Sequence, residues 1–91
     1  MALISLVELA KNEIGVVHKL DESRLLKKTG LVSGEVEARL LDMGIVEGVQ
    51  LKVMHIGMWG HDPIAVRIDN SSSLIALRKN EAAAILLEKI K

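Results

Sequence analysis

Cysteine is absent from the 91 residues, which excludes disulfides, iron–sulfur clusters and thiolate zinc sites. Any bound metal must therefore rely on His, carboxylate, Met or backbone ligands. Aromatic residues are almost absent as well: there is no Phe or Tyr and a single Trp, Trp59, too little for a stacking platform for single-stranded nucleic acid. Charge of one sign is missing too. Twelve basic residues balance twelve acidic ones, so the chain has no broad positive field of the kind that drives nonspecific binding to nucleic acid. No run approaches the ~18 apolar residues needed to cross a bilayer. Met1 to Ala10 contains Glu8 and lacks the basic start and small-residue cleavage site of a signal peptide. The expectation is a soluble, cytoplasmic chain with no direct membrane insertion. What is present is 49% apolar content, which suits one compact domain over residues 1–91. A chain of this size buries only about 60 to 65% of its unfolded surface and has little stability to spare.

Along the chain, Ser5-Leu-Val-Glu-Leu9 fits either a short helical turn or a strand, with the turn favoured as the plug of a barrel end. Gly15 to Leu20 predicts a first strand. Asp21 suits a helix N-cap, with Leu20 and Leu25 placed as a hydrophobic staple, and Gly30 suits the left-handed stop of that helix, Leu31 meeting Leu26. The same stop recurs at Gly44, where Ile45 would meet Leu40 and close a second helix begun at Ser33. On that helix Val36, Leu40 and Met43 form a core-facing stripe and Leu41 lies off it, as part of a wide buried face or of a docking surface.

Beyond Gly44, the alternation of Val49, Leu51 and Val53, then of Ile64, Val66 and Ile68, predicts two half-buried strands, and Leu74 to Arg78 a third. Asn80 suits the cap of a one-turn helix through Ala84, and Ile85 to Ile90 a closing strand. Short strands with a closing final strand predict a mainly β fold with short helices: a small barrel of about five strands with a helical insertion between the first two.

No motif of known catalysis is present: no HExxH, phosphate loop, dinucleotide glycine fingerprint or Ser/His/Asp order. Asp42 and Glu47 read as solvated charges, Arg78 and Glu81 as a local surface pair, and Arg39 and Arg67 as solvated cations with phosphate binding as the rival reading. His55, His61 and Asp62 lie close enough in sequence to be weighed as ligands for Fe²⁺ or Zn²⁺, although strand alternation sets His55 beside Val53 and away from the loop. His18 reads as an ordinary strand residue. Trp59 lies next to Met58 on a glycine-flanked turn, where it either caps the open barrel end or meets a partner.

One ordered set of residues is specific: Arg39, Leu40, Met43, Gly44 and Ile45, then Gly48, then Asp62-Pro63-Ile64, then Leu77 and Arg78 with Glu81 and Ala82. From about Leu6 to Leu87 the chain resembles the FeoA family, small cytosolic proteins of bacterial ferrous-iron uptake whose SH3-like barrel also ends DtxR-type iron-dependent repressors. It departs from the family pattern in the longer segment Asp21 to Ser33 and in His61, which separates Gly60 from Asp62. The resemblance implies an SH3-like barrel without catalysis. It further implies a cytosolic accessory of ferrous-iron transport that acts as an interaction module on the GTPase region of a FeoB-type membrane transporter. Leu41, Met58 and Trp59 are the candidate contacts. No cofactor is required under this reading. Direct binding or sensing of iron and the role of a detached repressor-type domain remain the rivals, and self-association stays open.

Overall fold

The computed structural model describes residues 2–24, 34–69 and 71–91. Strands run over Ile4–Ser5 (β1), Ile14–Leu20 (β2), Gln50–Ile56 (β3), Ile64–Ile68 (β4), Leu74–Leu77 (β5) and Ile85–Lys89 (β6), with helices over Glu35–Asp42 (α1) and Lys79–Ala83 (α2). All pairings are antiparallel, in the order β1-β6-β2-β3-β4-β5.

This sheet is open, which corrects the expected five-stranded barrel. Closure would require β5 to pair with β1, and each of these strands instead ends the sheet with one neighbour. β1 is too short to serve as a closing edge because Ser5 turns the chain at once. Its Oγ accepts the Val7 N–H at 3.3 Å while Glu8 accepts the Ser5 N–H at 2.9 Å, a capping box that starts a 3-10 turn over Leu6–Glu8. The turn at residues 6–8 agrees with expectation; β1 does not, because a two-residue strand leaves no periodicity to read. With β1 first in the chain, the helical insertion lies between β2 and β3. β6, expected as a closing strand, runs through the sheet between β1 and β2.

One face of the sheet carries the core, in which Val17, Leu51, Val53, Val66, Ile85 and Leu87 are almost wholly buried under Val36 and Leu40 of α1 and under Leu6. Met43 packs at the edge of this cluster. The stripe predicted on α1 is therefore the buried one.

α1 ends as the sequence predicts. Gly44 has φ +91°, Ile45 N–H donates to Leu40 O at 3.0 Å and Gly44 N–H to Leu41 O at 2.9 Å, the paired bonds of a Schellman stop. Its start differs. The helix begins at Glu35 with Gly34 as its N-cap, and the orphan N–H groups of Gly34 and Glu37 donate to the two carboxylate oxygens of Glu22, each at 2.8 Å. Glu22 belongs to a 3-10 turn over Glu22–Arg24 that follows Asp21, whose Oδ1 accepts the Ser23 N–H at 3.0 Å. The remainder of the predicted first helix, with Leu25, Leu26, Gly30 and Leu31, lies outside the described residues, as does Ser33, the expected start of the second. The bonds from Gly34 and then Glu37 hold the Glu22 carboxyl below the ordinary glutamate range, with burial opposing them and Val36 adding a smaller lowering.

Two outcomes are expected. Gly44→Val should lower the melting temperature, because a β-branched residue in a left-handed position costs roughly 1 to 2 kcal/mol; an unchanged midpoint would place the stop elsewhere. Glu22→Gln should be less stable than the parent near neutral pH. Since folding lowers the pKa of Glu22, its contribution is complete above the ordinary glutamate range and is lost as pH falls through the lowered folded value. The gap in melting temperature between parent and variant should therefore close as the pH drops below about 4.

Candidate functional site

The polar residues of the ordered motif converge on the start of α2. Glu81, buried at 7% exposure, accepts the Arg78 N–H on Oε1 at 3.2 Å, and its Oε2 is paired with the Arg39 guanidinium of α1. Asp62 accepts the Lys79 N–H at 3.1 Å. Two carboxylates thus satisfy the first N–H groups of a five-residue helix and lie at its positive end. This corrects the readings of Arg78–Glu81 as a local surface pair and of Arg39 as a solvated cation. It also moves the cap of α2 from Asn80 to Arg78. Leu40, Ile45 and Leu77 are core, as is Ala82, so most of the motif builds the fold. Gly48, at φ +95°, turns the chain into β3 and donates its N–H to Val17 O at 2.9 Å.

The loop of residues 57–63 between β3 and β4 holds the other candidates. Its base is closed by Gly57 N–H donating to Pro63 O at 2.8 Å. A Cβ on Gly57 would run into the Asp62 carbonyl, so only glycine fits this approach. Above that base Gly60 and His61 both take positive φ, +67° and +64°, while Met58 is 91% exposed and Trp59 88% exposed. Trp59 therefore caps nothing: the loop carries the chain's one aromatic residue into solvent. Leu41, on the solvent side of α1, is 45% exposed, which removes the wide-buried-face reading.

His55, His61 and Asp62 are not brought together. A bulge between Val53 and His55 pairs His55 with Ala65 and turns it away from the core face that Val53 occupies. Asp62 is engaged with α2. Among the described residues no three of His, Asp and Glu are placed to hold a metal ion. His18 is an exposed strand residue, and Asp42 and Glu47 are exposed.

The family model that matches residues 4–89 is the FeoA domain. The chain belongs to the FeoA domain family. Similar solved structures agree with the assignment. The FeoA-like protein from Clostridium acetobutylicum is 26% identical, with TM-score 0.76 over 100% of this chain and 91% of that one. The FeoA protein from Chlorobium tepidum is 27% identical, with TM-score 0.72 over 97% of this chain and 71% of that one. A manganese-dependent transcriptional repressor in complex with manganese shares the fold alone, at 16% identity and TM-score 0.79 over 99% of this chain and 38% of the repressor. No curated protein sequence matches the chain. As an FeoA domain it is a noncatalytic accessory module, and no helix of the described residues is long and apolar enough to cross a membrane.

Reading by sequence missed three features of this FeoA domain: the Glu22 cap, the Arg39–Glu81 pair and the outward turn of His55. The first two join residues 12 and 42 positions apart, and the third depends on a bulge. Two substitutions on the loop should behave in opposite ways. Trp59→Ala should leave stability within about 0.5 kcal/mol of the parent, as exposed positions do, whereas Gly57→Ala should lower the melting temperature by forcing the loop base apart. A large loss for Trp59→Ala in thermal melting would make Trp59 a core residue.

Proposed function

We propose that this FeoA domain is a cytoplasmic accessory of bacterial ferrous-iron uptake that docks on the cytoplasmic GTPase region of a FeoB-type transporter. Met58 and Trp59 are the principal contacts and Leu41 an additional one. The observation that carries this reading is the exposure of Trp59 on a loop with a fixed base. A large apolar side chain held out in water gains most when a partner covers it, and a loop already ordered by the Gly57–Pro63 bond gives up little entropy on docking. Membership of the FeoA family supplies the biological system. One domain over residues 1–91 belongs to the same proposal.

The test is the affinity of the purified protein for the soluble GTPase region of the transporter, measured by calorimetry. Trp59→Ala and Leu41→Ala should each weaken association by about 1 to 3 kcal/mol while the variants melt like the parent. Equal affinity for parent and variants would refute the docking surface.

A further inference from the structure

We infer that Met58 is a reversible oxidation site, at which peroxide converts the apolar tip of the 57–63 loop into a polar one and so switches off the docking surface. The site itself stands on sulfur chemistry and exposure, whereas its effect on a partner rests on the docking proposed above.

Peroxide attacks protein sulfur, and thiolates are ordinarily its first target. This chain has no cysteine, so its sulfur is confined to four methionines. Three of them belong to the described residues, and they differ in access. Met43 is half-buried against the core cluster, Met54 is half-buried at the bulge of β3, and Met58 is 91% exposed. The oxidant must reach a sulfur lone pair, so susceptibility follows exposure and points to Met58. In the step itself that lone pair attacks one peroxide oxygen: an S–O bond forms and the O–O bond breaks. The departing hydroxide takes the proton left on the transferred oxygen and becomes water. Sulfur loses two electrons and peroxide gains them. In the reverse direction two thiols from outside the chain return the thioether and yield a disulfide and water, the chemistry of the methionine sulfoxide reductases.

The fold is indifferent to this change. The loop is held by the Gly57 N–H on Pro63 O and by Asp62 on the Lys79 N–H, and Met58 takes part in neither bond. A new polar group at an exposed position leaves stability close to that of the parent. Docking is not indifferent. A thioether covered by a partner leaves no strong hydrogen bonds behind in water, but a sulfoxide is a polar acceptor that must be desolvated, and an apolar pocket returns nothing for it. Met58 adjoins Trp59 at the centre of the proposed contact, so the cost falls where burial contributes most. Ferrous iron reduces peroxide to hydroxyl radical, and an uptake accessory that lets go on meeting peroxide limits that reaction.

The experiment treats the purified protein with hydrogen peroxide, maps its peptides by mass and measures its affinity for the soluble GTPase region by calorimetry. One oxygen should appear on Met58 before Met43, Met54 or Trp59, melting should be unchanged, and affinity should fall about tenfold or more. A methionine sulfoxide reductase with a thiol reductant should restore it. In Met58→Leu, whatever its starting affinity, peroxide should no longer alter binding; an alteration that persists there would assign the effect to another residue and overturn the inference. Oxidation of Met43 or Met54 as fast as Met58 would overturn the site, and undiminished affinity of the singly oxidised protein would overturn the switch. If untreated protein does not bind the GTPase region at all, the docking reading and the switch fall together, and the peptide map alone decides the site.

Discussion

Burial of the Glu81 carboxylate at the start of α2 is the constraint on which the rest of the molecule depends. A carboxylate this far out of water must be met by charge-assisted partners, and two are supplied: the Arg78 N–H from its own turn and the Arg39 guanidinium from α1. The second of these ties the two helices together across 42 residues of chain. Removing Arg39 would leave a largely buried charge without its counterion, a worse outcome than the loss of an exposed pair. α2 in turn directs the chain into β6, the strand that runs between β1 and β2. The N-terminal turn docks on the same helix, because the Ser5 hydroxyl lies 3.2 Å from both Ala82 O and Ala83 O.

Asp62 extends this arrangement to the candidate site. By accepting the Lys79 N–H it anchors one end of the loop of residues 57–63 to α2, while Gly57 closes the other end on Pro63. The loop is thus held at both ends by the elements that organise the fold, and the residues between them, Met58 and Trp59, are free of structural duty. A rigid support with an exposed apolar tip is the arrangement expected of a module that works by contact and not by chemistry.

The open sheet has a second consequence. A barrel would have paired the edge of β5; in the observed order β5 ends the sheet beside β4, which carries Arg67, with Lys52 and His55 one strand further in on β3. Natural edges of this kind are guarded by brevity or by charge. Here β1 is guarded by brevity, and β5 has one cation, Arg67, on its neighbouring strand and none within itself. The bulge at Met54 is what gathers those cations, since without it His55 would share the core face with Val53.

Much of this was legible in the residues themselves. Apolar alternation located β3 and β4, the Val36–Leu40–Met43 stripe located the buried side of α1, and Gly44 before Ile45 determined its stop, all through periods and bonds that span a few residues. The ordered motif named the family. What only the tertiary structure decided were matters of distance along the chain: that Glu22 caps α1, that Glu81 forms its ion pair with the Arg39 guanidinium while taking only the backbone N–H of Arg78, that β6 runs inside the sheet and leaves it open, and that Trp59 stands in solvent. Local periodicity records which face of an element is apolar. It does not record which distant element comes to cover that face, and so cannot say which charges meet, which edges stay free or which apolar side chains are left over.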